Sequence, residues 1–136
     1  MAKDYSELEA GYEFPPGKYR IDSSRVSIFL KAIGDTSPLY QETRFVPPMV
    51  VAALAMARLS DTISLPPGAI HVSQELSFLE AVTVDDNLTS YARLTRTQKR
   101  GKLHLLTVDL NVYDQSQRVV LTARTSFILP QPDDEQ

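Results

Sequence analysis

Residues 49–57 read Met-Val-Val-Ala-Ala-Leu-Ala-Met-Ala, an apolar run with no polar break before Arg58 and Asp61. Pro47 and Pro48 stand directly in front of it, where a missing N–H costs a helix nothing because the first donors have no intrahelical partner. A helix that is apolar all round must be covered on most sides. This one is too short to span a bilayer, which takes about 20 apolar residues. Its alanines also let other elements approach closely. The run therefore predicts a central helix, and the rest of the chain has to supply the enclosure.

The enclosure is written downstream, where the pattern changes to period two. Ile70, Val72, Leu76 and Phe78 are expected on one face of a strand, with His71, Ser73, Glu75 and Ser77 on the other. Residues 88–97 read as a second, weaker strand, and Lys99-Arg100-Gly101 turns the chain into a third over 103–113. There Leu106, Val108, Leu110 and Val112 face one way, with His104 opposite Leu103 and Leu105. A last strand over 118–129 alternates Val119, Leu121, Ala123, Phe127 and Leu129 against Thr122, Arg124 and Ser126. Asp114-Gln115-Ser116-Gln117 is its hairpin turn, without the usual glycine.

Upstream, Val26, Phe29, Leu30 and Ile33 fall at helical spacing over residues 23–33, with cap candidates at 22–24 and Gly34 as the stop. Residues 1–22 form a polar lead-in with a turn at Pro15-Pro16-Gly17. We expect one domain over 1–136, with 1–10 and 130–136 as loose termini. An apolar helix followed by long antiparallel strands predicts an α+β fold in which a curled antiparallel sheet wraps the helix. Such a sheet leaves an edge open, so pairing with a copy or a relative is expected.

Composition removes several functional classes. With 136 residues, 43% hydrophobic and 23% charged, the chain fits one ordinary globular domain. Its net charge of -3 and lack of a dense Lys/Arg cluster argue against a phosphate-tracking face, so nucleic acid is not an expected partner. The absence of cysteine excludes disulfides, thiolate metal sites and a cysteine nucleophile. His71 and His104 are the only histidines and lack metal-ligand spacing, so neither a metal nor a cofactor is expected. The polar amino terminus has no signal-peptide core, which predicts a cytoplasmic protein without a membrane partner.

The stretch Gly-Asp-Thr-Ser-Pro-Leu-Tyr at 34–40 places a carboxylate, Asp35, on a loop between two helices stiffened by Pro38. Together with three further segments it carries a resemblance. These are Phe29-Leu30-Lys31-Ala32-Ile33-Gly34-Asp35 leading to Pro38, Val46-Pro47-Pro48-Met49, His71-Val72-Ser73-Gln74-Glu75-Leu76-Ser77-Phe78, and Val84-Asp85-Asp86-Asn87-Leu88. In this order, over roughly 13–130, the chain resembles the MaoC-like dehydratase branch of the hot-dog superfamily. It is most similar to the FAS1-like, N-terminal half-type that supplies one partner of two-subunit acyl-thioester dehydratases. The resemblance implies a hot-dog fold and acyl groups carried on coenzyme A or acyl carrier protein.

In that family an Asp and a His activate water for addition to a 2-enoyl thioester, while a backbone N–H polarises the thioester carbonyl. The resemblance puts Asp35 and Pro38 at the motif's Asp and Pro, but Tyr40 where the His belongs. A phenol, with an ordinary pKa of about 10, accepts a proton poorly at neutral pH, unlike an imidazole near about 6.5. Pro47-Pro48 stands in place of the His-Gly pair that opens the helix, leaving the Met49 or Val50 N–H as substitute donors.

The resemblance thus implies a subunit of an (R)-specific enoyl thioester hydratase or 3-hydroxyacyl dehydratase, the acyl-binding half without a full Asp/His pair. A homodimeric acyl-CoA-binding module without turnover and a thioesterase-like enzyme using Asp35 stay open. The partner is a copy of the chain or a His-containing relative. Asp35 and Tyr40 are the candidate catalytic pair, expected to face a tunnel along the apolar helix. Pro48, Met49, Val50, Met56 and His71 are candidate substrate contacts. Each also has a plain structural reading: Asp35 as a loop brace, Tyr40 as a packed aromatic, the methionines as core and His71 as support. Arg93, Arg96, Lys99, Arg100 and Lys102 would meet carrier phosphates or simply solvate a hairpin.

Overall fold

The structure, a computed structural model, describes residues 3–130. Its elements run β1 (Lys3–Asp4), a 3-10 turn (Tyr5–Glu7), β2 (Gly17–Arg20), α1 (Ser23–Ile33), α2 (Pro38–Glu42) and α3 (Pro48–Ser60). They continue with β3 (Ile63–Ser64), β4 (Ile70–Phe78), β5 (Asn87–Arg100), β6 (Leu103–Tyr113) and β7 (Val119–Pro130). The second expected strand is thus longer at both ends than its pattern, because its flanking residues, Asn87 and Gln98 to Arg100, are all polar and carry no alternation.

Local chemistry sets the helix ends. The Asp22 carboxylate accepts from the Arg25 N–H at 2.8 Å to cap α1. Gly34 closes α1 in the left-handed region at φ 70°, which a residue with a Cβ enters only at a cost. Pro48 opens α3 at its first turn, and Pro47 precedes it with no side-chain cap.

The main sheet has five strands in the order β2-β5-β6-β7-β4, with every neighbouring pair antiparallel. β1 and β3 form a small parallel pair beside it. Helix α3 lies closest to β2, β3 and β5. It buries Val50, Val51, Ala52, Ala55 and Leu59, while Met49, Ala53 and Ala57 face outward. The apolar run is therefore covered on one side only within the single chain. Gly17 serves the packing: an added Cβ there would stand 3.0 Å from the Arg58 side chain, where β2 crosses α3. This is the curled-sheet-and-helix arrangement of the hot-dog fold.

Two core clusters fill the interior. One joins α1 and the first half of α3 to the sheet through Ile21, Val26, Leu30, Val51, Leu88 and Val112. The other joins the far end of α3 to Leu94, Leu106, Val108 and Leu129, and takes in Tyr5 and Leu8. The amino-terminal segment is consequently packed rather than loose, with Tyr5 only 4% and Leu8 only 6% exposed. The Tyr5 hydroxyl also donates to the Pro130 carbonyl at 3.0 Å. Two isolated apolar residues among acidic neighbours carry no periodic signal, so only tertiary contact reveals them. At the other end Pro130 still belongs to β7, and residues 131–136 lie outside the described residues.

The facing of β4 also corrects the sequence pattern. His71, Gln74, Leu76 and Phe78 pair across to Phe127, Thr125, Ala123 and Leu121, with a bulge between His71 and Ser73. Those partners pair in turn with Leu106, Val108, Leu110 and Val112 on the helix-facing side, and directly opposed residues share a face. A bulge inserts one extra residue and reverses the alternation beyond it. His71 therefore shares the face of Leu76 and Phe78, not that of Ser73 and Glu75.

Candidate functional site

The loop after α1 is built around Asp35. Its N–H donates to the Leu30 carbonyl at 2.9 Å, continuing the helix end past Gly34. Its carboxylate Oδ1 accepts from the Ser37 N–H at 2.8 Å, and Ser37 Oγ accepts from the Leu39 N–H at 3.3 Å to cap α2. One carboxylate oxygen thus braces the turn, and the other has no hydrogen-bond partner among the described residues. The structural and chemical readings of Asp35 are therefore compatible, one for each oxygen.

Asp35 borders a cleft of about 480 Å³ between α1, α2 and the segment leading to α3. Lys31, Tyr40, Arg44 and Phe45 are among its other walls. Behind Tyr40 and Phe45 lies a second, apolar cavity of about 190 Å³, which also touches Pro48, Val51, Val82 and Val120. Tyr40 and Phe45 belong to both spaces. No hydrogen bond joins Tyr40 to Asp35; the ring is half-buried and packs against the first core cluster.

The rim is held by the chain's own backbone. Val46 N–H donates to the Val82 carbonyl and Val84 N–H to the Arg44 carbonyl, each at 2.8 Å. Arg44 adds an ion pair to Asp85 at 2.9 Å, and Arg20 lies 3.8 Å from the same carboxylate. Asp85 occupies the left-handed region at φ 75°, a strained position for a residue with a side chain. These contacts fix the segment carrying Phe45 to the connection before β5.

The remaining candidates are dispersed. Pro48 lines the apolar cavity, whereas the Val50 side chain lies in the core and its N–H donates to the Pro47 carbonyl at 2.9 Å. The Met49 N–H, by contrast, has no hydrogen-bond partner among the described residues. The Met49 side chain is exposed and borders neither space. Met56 packs against the second core cluster, also away from both. His71 hydrogen-bonds through Nε2 to the buried Thr125 hydroxyl and stacks on Phe127 at 4.9 Å between centroids.

Asp35 and Tyr40 thus share a cleft, Tyr40 and Pro48 share a cavity, and Met56 and His71 stand apart. The cavity meets α3 only at Pro48 and Val51, so it does not run along the helix. The basic run from Arg93 to Lys102 sits toward the β5–β6 turn, beside the second core cluster, whereas Tyr40 packs on the first. Among the described residues no group of three His, Asp or Glu is placed to hold a metal ion. Likewise no helix among them is long and apolar enough to cross a membrane. Phe45, Val82 and Val120 were not legible as site residues; only Phe45, an aromatic next to the Pro-Pro pair, carried any signal.

The family model described as FAS1-like, dehydratase domain region, matches residues 9–123. A curated UPF0336 protein of Streptomyces griseus is 22% identical over 145 residues, covering 94% of this chain and 95% of that one. Among solved structures, an unliganded R-hydratase from Pseudomonas aeruginosa superposes with a TM-score of 0.78 at 22% identity, covering 94% of this chain and 86% of the other. The truncated HadBC complex of Mycobacterium tuberculosis, a 3R-hydroxyacyl-ACP dehydratase, superposes at 0.68 and 16% identity, covering 88% and 96%.

Proposed function

The chain belongs to the family of FAS1-like dehydratase domain regions, and on that footing we propose that it is the acyl-binding half of an (R)-specific enoyl thioester hydratase or 3-hydroxyacyl dehydratase. The observation that carries this reading is the cleft shared by Asp35 and Tyr40, a carboxylate beside a phenol where proton transfer at neutral pH calls for an imidazole. Such a site can orient a polar group and bind an acyl thioester. It has a weak proton acceptor of its own.

In this reading Asp35 holds the reacting end of the substrate through its open carboxylate oxygen, and Tyr40 and Pro48 wall the path of the acyl chain. The Met49 N–H, the donor left at the start of α3, is the candidate contact for the thioester carbonyl. The working Asp/His pair is contributed by a His-containing relative, and the two subunits pair through the open edge at β4. The HadBC 3R-hydroxyacyl-ACP dehydratase is a complex by name. The thioester is carried on coenzyme A or acyl carrier protein, and the protein works in the cytoplasm.

The test is hydration of a short 2-enoyl-CoA by three preparations: the protein alone, the protein with a co-produced His-bearing relative, and the same pair with Asp35→Asn. Asn preserves the oxygen that braces Ser37 while removing the charge. The expected result is negligible turnover alone, turnover with the relative, and at least a ten-fold loss in the Asn pair. Full turnover by the isolated chain would instead make it a self-sufficient hydratase. Binding without turnover in every preparation would leave an acyl-CoA-binding module.

A further inference from the structure

Leu39, Phe45 and Phe78 are 48%, 40% and 43% exposed, and they come from three separate segments. All three border the same apolar cavity. Leu39 stands on α2, Phe45 on the connection to α3 and Phe78 at the end of β4. The inner wall is Val51, Val82 and Val120, each no more than 5% exposed and each part of the main core. The space therefore opens through an apolar rim and ends blind against packed core. Its one charged lining side chain, Glu80, is engaged by Arg118 at 3.6 Å.

We infer that this cavity takes the hydrocarbon end of the acyl group and limits it to a chain of roughly six to eight carbons. The size follows from volume: an apolar cavity of about 150 Å³ admits a six-carbon benzene molecule, and this one measures about 190 Å³. The polarity follows from position. Tyr40 and Phe45 border both the apolar pit and the polar cleft of Asp35, so a ligand lying across them is polar at one end and aliphatic at the other. Val51, Val82 and Val120 set the limit, because lengthening the pit would require displacing core. This inference rests on the acyl-thioester reading of the adjoining cleft.

Calorimetric titration with saturated butanoyl, hexanoyl, octanoyl and dodecanoyl thioesters of N-acetylcysteamine tests it without involving a carrier or turnover. The dissociation constant is expected to fall about four-fold per added methylene while the chain is being buried, then to stop falling between hexanoyl and octanoyl. Ala81→Leu, at an exposed wall position, should move that break to a chain about two carbons shorter. Val51→Ala should move it to a longer one. Affinity that climbs unbroken to dodecanoyl, a break that ignores both substitutions, or no binding of any thioester would overturn the inference. The movable break with no hydration under any condition would retain the cavity and remove the hydratase reading; hydration with no break would do the reverse.

Discussion

At Asp35 the two carboxylate oxygens are placed differently: Oδ1 closes the loop onto Ser37, and the other has no hydrogen-bond partner among the described residues. Its neighbour in the cleft, Tyr40, was legible from sequence as a departure from a motif, but its place in the lining of two spaces was not. His104 makes a different point. It is buried beside Tyr5, with ring centroids 5.5 Å apart, and its Nε2 hydrogen-bonds to Thr97 at 2.5 Å. Burial, helped by the Lys99 charge, holds its pKa below the ordinary 6.5. The folded state therefore favours the neutral ring. Stability should be complete above about pH 6.5 and decline as pH falls from there to the folded value, because the unfolded chain binds the proton more readily. Urea titrations between pH 7.5 and 5 should show this slope in the wild type and a flatter one in His104→Gln; parallel slopes would mean that His104 protonates without strain.

At the scale of elements, the β6–β7 turn shows why a pattern without glycine still folds. The Asp114 carboxylate accepts from the Ser116 and Arg118 N–H groups at 2.9 and 3.0 Å and pairs with the Arg118 Nε at 2.9 Å. Gln117 then takes the left-handed position at φ 65°. That conformation costs a residue with a Cβ about 1–2 kcal/mol, against about 0.5–1 kcal/mol for ordering a glycine. Gln117→Gly should therefore stabilise the protein by roughly 0.5–1 kcal/mol, read as a higher urea midpoint at unchanged slope; a lower midpoint would show that the Gln117 side chain contributes more than its backbone costs. In β4 an irregularity acts in the opposite direction. The bulge at Val72 turns His71 toward Phe127, a reversal that strict period-two reading could not contain.

At the scale of the whole molecule the dominant fact is β4. It is the last strand of the sheet, with eight of its nine residues exposed, and α3 lies closest to other strands. An exposed strand edge with uncovered apolar residues invites pairing with another chain. Ile70 and Val72, 59% and 45% exposed, lie on this edge away from the proposed cavity. Replacing both with lysine should leave the fold intact and weaken self-association, or association with the His-bearing relative, by at least ten-fold in sedimentation. Equal association by the double variant would place the interface elsewhere.

The sequence by itself determined the order and type of the main elements, the apolar character of α3, the caps at Asp22 and Gly34, and the family. Each of these is recorded locally, in a spacing, a turn residue or a short motif. What the tertiary structure decided was which apolar residues are covered and by what. Tyr5 and Leu8 became core, Met49 stayed outside, and Phe45, Val82 and Val120 met around one space although up to 75 residues separate them in the chain. Burial and cavity shape depend on where distant segments cross, and no local pattern encodes that crossing.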